Sequence, residues 1–299
     1  MNPEALYNEI LFGKTACAPI YDRTLWKTTG TDRVRYLNGQ VTNDVSSLTA
    51  ESAIYAAILT AKGKLLGDLW IGASDDALWI EGPASEKDSL ETRLRRFLVA
   101  DDVEFQHLDS WTLTRVFGSS PFTIPAGAVA FRSPRFGLPG WDLWSPPGAT
   151  VDVGIRVPET LLESLRLEAR LPKWGVELQP GDLPQEVGLD SLAVSYHKGC
   201  YVGQEIVSRL HHIGHANRSL VLLASPPLSD ELQAGAPLCQ GESEIGRITS
   251  VAHSFARRAA LALGIVKRGS AAPGTKLQSG GTLLEVIDPL RTPWPVQAA

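Results

Sequence analysis

The change in pattern after Leu220 strongly limits how this chain can fold. Upstream of this point helical and strand signals alternate, whereas downstream of it helical periodicity is absent. The downstream apolar runs are short, β-type and separated by Gly, Pro and Ser turns: SLVLLAS (219–225), EIGRITSVAHS (244–254), AALALGIVK (259–267) and TLLEVID (282–288). Short strands between turn signals are typical of all-β domains. The sequence therefore predicts a C-terminal β-barrel or sandwich that begins near residues 215–220.

The upstream part mixes strands with helices. Residues 53–82 indicate three strands, with turns at 62–64 and 74–76. Residues 85–105 carry leucines at helical spacing. Residues 158–172 begin with a proline, which suits a first helical turn, and end with a proline that stops the helix. This alternation predicts an α+β fold class for the part of the chain before the barrel.

Composition and charge narrow the range of functions. The chain has 299 residues and a formal net charge of −5, which gives no large basic footprint for nucleic acid or anionic membranes. No apolar run approaches the roughly 20 residues that span a bilayer, and the first residues resemble neither a signal peptide nor a transit peptide. The three cysteines are far apart and form no CxxC pair. We therefore expect a cytoplasmic protein without disulfides that binds neither nucleic acid nor membrane.

The segment 197–220 holds one cysteine and four of the six histidines of the chain. Its part VGQEIVSRLHHIG (202–214) predicts a helix of about three turns that ends at a glycine. Cys200 lies just before this helix and close to Lys198, and both a helix N-terminus and an ammonium group favour a thiolate. One interpretation is therefore an accessible, activated thiol at the mouth of a ligand site. The alternative is a small buried hydrophobe in a tight turn.

The same segment offers donors for a metal ion, namely Cys200, His211, His212 and His215. The adjacent side chains of His211 and His212 project about 100° apart on a helix, so they do not readily face one ion. A Cys/His nucleophile pair would suit a hydrolase, but no third orienting group is visible. We therefore expect no metal site and no hydrolase.

The octet KGCYVGQE (198–205), followed by SR (208–209), closely resembles the signature of the YgfZ-type folate-binding proteins. This family is related to the T-protein (aminomethyltransferase) of the glycine-cleavage system and includes a mitochondrial iron–sulfur assembly factor. Further segments similar to the family are VRYLNGQVTNDV (34–45), LRLEARLPKWGVEL (165–178), LPQEVGLD (183–190) and EIGRITSVAHS (244–254). The positions that match the signature are Lys198, Gly199, Cys200, Tyr201, Gly203, Gln204, Glu205 and Arg209.

The resemblance implies a fold of three domains around a central cavity. Two are ferredoxin-like α+β domains, one of them interrupted by the other, and the third is a β-barrel. On this chain the expected division is 1–48 with 112–214 for the first, folate-binding domain, 49–111 for the second, and 215–299 for the barrel.

The resemblance also implies a function. Members of the family bind tetrahydrofolate in the cavity and support the assembly or repair of iron–sulfur proteins. The signature cysteine, which is Cys200 in this chain, is implicated in that role. The implied partners are a folate and iron–sulfur client or assembly proteins, while turnover of a substrate and the chemistry of the thiol stay open.

Site residues also follow from the resemblance. Glu168 matches the carboxylate that holds the pterin ring, and a carboxylate can accept hydrogen bonds from adjacent ring N–H groups. Its alternative is a solvated helix residue. Asn43 and Asp44 lie in the matching N-terminal loop and are candidates for the cavity wall, or form a turn that binds its own backbone. Asp68 and Tyr201 complete the expected folate-binding set.

The chain departs from the related patterns at three places. T-proteins carry two acids where this chain has Gly67 and Asp68, and they lack the Lys-Gly-Cys signature, which argues against glycine cleavage. Ile213 stands where the family often has arginine, and Arg170 where relatives often have glycine. Two rival functions stay open. One is a folate-dependent aminomethyl or one-carbon transferase acting through Asp68, and the other is a non-catalytic interaction protein that docks through helix 203–213.

Overall fold

The computed structural model describes residues 2–118, 122–149, 151, 153–225 and 232–291. The helices in these ranges are α1 (Pro3–Leu11), α2 (Arg33–Gln40), α3 (Lys87–Arg95), α4 (Glu159–Glu168), α5 (Asp190–Ala193) and α6 (Gln204–His212). The strands are β1 (Ala16–Ile20), β2 (Arg23–Thr29), β3 (Ala53–Leu59), β4 (Leu65–Ala73), β5 (Leu78–Pro83), β6 (Glu104–Leu108), β7 (Thr112–Phe117), β8 (Val129–Arg132), β9 (Gly140–Ser145), β10 (Ile155–Arg156), β11 (Arg218–Ser225), β12 (Pro237–Gln240), β13 (Ser243–Ser254), β14 (Ala259–Lys267), β15 (Lys276–Ser279) and β16 (Thr282–Ile287).

The first sheet has the strand order β10-β1-β7-β9-β8. Strand β1 runs parallel to β10 and antiparallel to β7. Apolar residues of this sheet, of α1 and of α4 share one core, which includes Tyr7, Phe117 and Leu165. The sheet therefore buries one face against helices, as expected for an α+β layer.

The second sheet has the order β3-β4-β5-β2-β6 and contains the three strands predicted for residues 53–82. Leu90 and Leu94 of α3 are fully buried against it. Helix α3 ends at Arg95, earlier than the predicted 85–105, because the chain then returns as the edge strand β6 beside β2. In β6 the side chains alternate between the two faces of the sheet, and the helical spacing has ended.

Strand pairing differs from the expected division at residue 48. Strand β2 is hydrogen-bonded to β5 and β6 of the second sheet, although the division assigned it to the first domain. The sequence did not predict this pairing, because no turn signal near β2 indicates partner strands that lie so far along the chain. The division into three domains otherwise stays a prediction.

The C-terminal strands form a closed barrel in the order β11-β14-β13-β12-β15-β16. Its core holds Val221, Leu223, Ile248 and Leu284, each at most 2% exposed. The fold is thus α+β with a C-terminal β-barrel, as predicted. No helix in the described ranges is long and apolar enough to cross a membrane.

Helix α4 is shorter than the predicted 158–172 and ends at Glu168. Arg170 follows with a left-handed backbone, φ 48°. Glycine takes this conformation without a Cβ clash, so arginine is an unusual residue at this position. The chain then turns toward residues 171–175, which belong to the cavity described next.

Candidate functional site

A cavity of about 690 Å³ lies between the two sheets and α4. Ligand sites commonly have volumes of about 300–1,000 Å³ and mostly apolar, aromatic walls. The aromatic side chains that line this cavity are Tyr21, Tyr55, Trp70, Phe136 and Trp174. Tyr55 and Trp70 are stacked with ring centroids 4.9 Å apart. The cavity therefore offers flat apolar surfaces to a ligand with planar rings.

Asp68 supplies a fixed carboxylate to this cavity. It lies on β4 and is 4% exposed. Its Oδ1 accepts a hydrogen bond from Arg23 Nη1 at 2.9 Å, and its Oδ2 accepts one from the Tyr55 hydroxyl at 2.9 Å. Each carboxylate oxygen has two lone pairs, and these two hydrogen bonds occupy one on each oxygen. The predicted site residue Asp68 thus lines the cavity.

A chain of buried charges of alternating sign leads to Asp68. Its N···O distances are 3.2, 3.0, 2.7, 2.8 and 2.9 Å, and its side chains are at most 9% exposed. The members, in order, are Arg115, Asp142, Arg135, Glu81, Arg23 and Asp68. We call this set the ion chain. It joins the first sheet to the second, and three of its members, Arg135, Arg23 and Asp68, line the cavity.

The pKa values within the ion chain follow the balance of burial and neighbouring charge. Burial lowers the pKa of Arg115 to about 10, because Asp142 only partly offsets the desolvation. Burial also acts to lower the pKa of Arg135, but Asp142 and Glu81 outweigh it and raise that pKa. The guanidinium of Arg135 lies 4.3 Å from the Trp70 ring centroid. This arginine is therefore held charged at the cavity wall.

Two further cations line the cavity. Arg156 on β10 and Lys173 after α4 have no carboxylate partner among the described residues. By contrast, Arg166 in the same lining is bound to Glu163 at 2.6 Å and to Glu177 at 2.9 Å. Arg156 and Lys173 are therefore the cavity cations that are available to an anionic ligand group.

The signature segment lies beside the β3–β4 turn. Gly203, with φ 91°, leads into α6, and a Cβ on it would lie 2.6 Å from the carbonyl oxygen of Thr60. Only glycine fits this close approach. Helix α6 agrees with the predicted helix. Cys200 and Gly199 are exposed just before α6, but neither is among the cavity-lining residues.

Lys198 is buried, with 9% of its surface exposed. Its Nζ donates hydrogen bonds to the carbonyl oxygens of Asn38, Val41 and Asn43 at 2.5, 2.9 and 2.7 Å. An ammonium group has three donors, so all of them are used. Burial lowers the pKa of Lys198 to about 8, and Asp44 opposes this shift. The arrangement differs from the expectation that Lys198 serves the thiol, because its ammonium group is bound to the backbone of 38–43.

The remaining signature residues are near these groups. Tyr201 is 7% exposed, its ring centroid lies 5.4 Å from Lys198 Nζ, and burial raises its pKa. It is not among the cavity-lining residues. Gln204 is the first residue of α6. Glu205 and Arg209 form the expected i,i+4 pair at 3.4 Å, exposed on the helix surface.

Comparison with known proteins shows the family of this chain. The tRNA-modifying protein YgfZ of Escherichia fergusonii is 32% identical over 234 residues, which are 68% of this chain and 70% of that protein. This chain belongs to the YgfZ family. A mitochondrial iron–sulfur cluster assembly factor homologue of Neosartorya fischeri is 26% identical over 78% of the chain, and the match spans 61% of that protein.

Two other comparisons concern the fold. The glycine cleavage T-protein C-terminal barrel domain matches residues 218–281. The crystal structure of the glycine cleavage system aminomethyltransferase T of Bartonella henselae has a TM-score of 0.79 and 19% sequence identity. The match covers 95% of this chain and 89% of that chain. The YgfZ-family chain therefore shares the aminomethyltransferase fold.

Glu168 of this YgfZ-family protein lies apart from the cavity lining and is 0% exposed. Its oxygens accept hydrogen bonds from the Tyr7 hydroxyl at 2.9 Å and from Ser254 Oγ at 2.5 Å, and it is paired with Arg291. The carboxylate thus has internal partners from α1, β13 and the segment after the barrel. This position does not support the expected pterin contact, nor the alternative of a solvated helix residue.

Asn43 and Asp44 follow the turn interpretation more closely than the cavity interpretation. Asn43 is 8% exposed, its Nδ2 donates to the carbonyl oxygen of Tyr55 at 2.8 Å, and its Oδ1 accepts from the backbone N–H of Asp44 at 2.8 Å. Asp44 Oδ1 accepts from the backbone N–H of Ser46 at 3.0 Å. Neither residue is among those that line the cavity.

The histidines of the signature segment make ring contacts. His211 stacks on Tyr196 with centroids 3.7 Å apart, and His212 lies edge-on to His211 at 4.9 Å. Within the described ranges no group of three or more His, Cys, Asp or Glu side chains is arranged to hold a metal ion.

Sequence reasoning missed most of the cavity. Arg23, Arg135, Arg156 and Trp174 were not candidates, although each lines it. One signal was available: Glu81 interrupts the otherwise apolar segment LWIEGP of β5. A charged residue in a fully buried strand requires a partner.

Proposed function

We propose that this protein binds a tetrahydrofolate in the cavity and supports the assembly or repair of iron–sulfur proteins, with Cys200 as the reactive side chain. The observation that carries the folate part is the cavity itself, with aromatic walls, the carboxylate of Asp68 and two cations that have no carboxylate partner in the described part of the chain. Relatives named for iron–sulfur cluster assembly and for tRNA modification support the second part.

The chemistry of the cavity matches the three parts of a folate. The pterin and aminobenzoyl groups are planar, and they suit the surfaces of Trp70, Phe136 and Trp174. The N–H groups of the pterin edge suit the carboxylate of Asp68. The carboxylates of the glutamate tail suit Arg156 and Lys173. This set replaces Glu168, Asn43 and Tyr201 as the proposed folate contacts.

The proposed function also implies a location and partners in the cell. We expect a cytoplasmic location and iron–sulfur client or assembly proteins as partners, without direct binding of nucleic acid. Cys200 is the candidate for contact with such a partner because it is exposed at the start of the signature helix.

Replacement of Asp68 by Asn should weaken the binding of 5-formyltetrahydrofolate about 10- to 150-fold, the equivalent of about 1.5–3 kcal/mol for a lost hydrogen bond to a charged group. Asn keeps the size of the side chain but removes its charge. Isothermal titration calorimetry measures the affinity, and a thermal melt verifies that the variant is folded. Asp109→Asn, whose side chain is 84% exposed, is the control and should bind as wild type. Equal affinities for wild type and Asp68→Asn would exclude Asp68 from the site.

Replacement of Cys200 by Ser should abolish complementation of a strain that lacks its own YgfZ, while the folate affinity stays within about twofold, since the thiol is not in the cavity lining. Growth and the activity of an iron–sulfur enzyme in the strain are the measurements. Cys239→Ser, at a half-buried barrel position, is the matched control. Full complementation by Cys200→Ser would show that the thiol is dispensable.

A folate-dependent one-carbon transferase is the second candidate, and one observation keeps it open. A Cβ on Gly67 would lie 2.9 Å from Leu90 Cδ2 of α3, on the face of β4 opposite to Asp68. An acid at position 67 would therefore point away from the cavity, and the glycine there does not argue against transfer chemistry. Formation of methylenetetrahydrofolate from an aminomethylated lipoyl carrier would favour this function over the first.

A further inference from the structure

The signature lysine has a structural setting that the proposed function does not use. The carbonyl oxygens that bind Lys198 Nζ belong to the last turn of α2 and to the loop that follows it. The last carbonyls of a helix lack partners within the helix and form its negative end. Lys198 therefore caps α2 from a segment about 160 residues away in sequence, since the contact with Asn38 spans 160 positions.

The same two segments are joined on both sides of Cys200. Before it, the backbone N–H of Ser195 donates to the carbonyl oxygen of Thr42 at 3.0 Å, and Thr42 Oγ1 donates to the carbonyl oxygen of Ala193 at 2.6 Å. After it, the backbone N–H of Val202 donates to the carbonyl oxygen of Gly39 at 3.2 Å. Cys200 is thus an exposed side chain on a short segment whose two ends are fixed to residues 38–43.

Residues 38–43 are in turn fixed to β3. The side chain of Asn43 donates to the carbonyl oxygen of Tyr55, and the backbone N–H of Ala57 donates to Thr42 Oγ1 at 2.8 Å. Lys198 stands at the centre of these contacts, because its ammonium group binds three backbone carbonyl oxygens at once.

We infer that Lys198 is a positioning residue for Cys200: its ammonium group clamps the cysteine segment to the end of α2 and sets where the thiol is presented to a partner. This inference rests on the proposed role of Cys200. It differs from direct activation of the thiol, in which the lysine charge would lower the pH at which the thiol ionises. The two roles predict different effects of removing the charge.

The test uses the full chain with Lys198→Met, which removes the ammonium group and keeps much of the stem. Lys87→Met, at an exposed lysine of α3, is the matched control. The amide exchange of Ser195 and Val202 is measured by NMR or mass spectrometry. The rate of alkylation of Cys200 by iodoacetamide is followed by peptide mass spectrometry as a function of pH. Neither measurement involves a folate or a client protein.

A clamp predicts that Lys198→Met speeds exchange at Ser195 and Val202 at least about tenfold, since hydrogen bonds to a charged group are lost. The midpoint of the alkylation rate against pH should stay as in wild type. Wild-type exchange rates, or a raised midpoint without faster exchange, would overturn the inference. If Lys198→Met does not fold, Lys198→Gln decides, because a neutral amide has no charge and only two donors for the three carbonyl oxygens: wild-type exchange at Ser195 and Val202 would then overturn the clamp.

A failure of the proposed function would be seen in complementation and can be distinguished from a failure of the clamp. If Cys200→Ser complements fully, the role of the thiol fails whatever the exchange rates are. If Cys200→Ser fails to complement and the clamp is present, Lys198→Met should also reduce complementation, with folate affinity near that of wild type. Full complementation by Lys198→Met under those conditions would overturn the inference.

Discussion

Replacement of Glu81 by Ala is expected to lower the free energy of unfolding by about 3–5 kcal/mol, the range found when one partner of a buried ion pair is removed. Glu81 is 2% exposed and accepts from Arg23 Nε at 2.8 Å and from Arg135 Nη2 at 2.7 Å. Without it, the buried Arg23 keeps only Asp68 as a carboxylate partner, and the buried Arg135 keeps only Asp142. The cost of burying those charges is then no longer offset.

Urea denaturation, followed by tryptophan fluorescence, measures this loss. The control is Glu91→Ala on α3, whose partner Arg95 is 3.0 Å away but 44% exposed. Exposed pairs contribute at most about 1 kcal/mol, so the control should be near wild type. A loss below about 1 kcal/mol for Glu81→Ala would mean that water or a rearranged arginine replaces the carboxylate, and that the ion chain does not stabilise the junction of the two sheets.

The predictable part of the fold was the part encoded locally. Turn residues and apolar runs within residues 53–82 predict the three strands found there. Helical spacing that ends at Gly214 predicts α6. Repeated short strands predicted a β-barrel or a sandwich, and the structure has the closed barrel that the family resemblance implied. In contrast, α1, β1 and β2 were not predicted, and the pairing of β2 with β5 and β6 depends on contacts with strands that follow much later in the chain.

The site was less predictable because its charges find partners over long sequence distances. The sequence indicated Asp68 as a candidate, but not Arg23, which is 45 positions away and fixes it. The sequence left Cys200 as either an accessible thiol at the mouth of a ligand site or a small buried hydrophobe; in the structure it is exposed just before α6 but does not line the cavity. It did not predict that Lys198 binds carbonyl oxygens some 155–160 positions earlier.

Glu168 has a setting that its sequence match did not indicate. It lies in the segment LRLEA that resembles the family, and its partners Tyr7, Ser254 and Arg291 are 161, 86 and 123 positions away. No local feature of the sequence indicates these contacts. They tie α1 and the segment after the barrel to the end of α4, so we expect the carboxylate to stabilise this junction.

Replacement of Glu168 by Ala is therefore expected to lower the free energy of unfolding by about 2–4 kcal/mol, because it leaves Arg291 without its carboxylate and removes the acceptor of two hydroxyl groups. Alanine is the best helix former, so the substitution itself does not weaken α4. The folate affinity of the folded variant should stay within about twofold of wild type, since Glu168 is not in the cavity lining.

Chemical denaturation and calorimetry with 5-formyltetrahydrofolate separate the two roles of Glu168. In a double-mutant cycle with Arg291→Met, the loss caused by Glu168→Ala should shrink by at least about 1 kcal/mol, because no unpaired arginine is left beside the end of α4. A wild-type free energy of unfolding combined with a folate affinity reduced more than about tenfold would restore Glu168 as a pterin ligand. That result would also mean that its contacts with Tyr7 and Arg291 open when a folate binds.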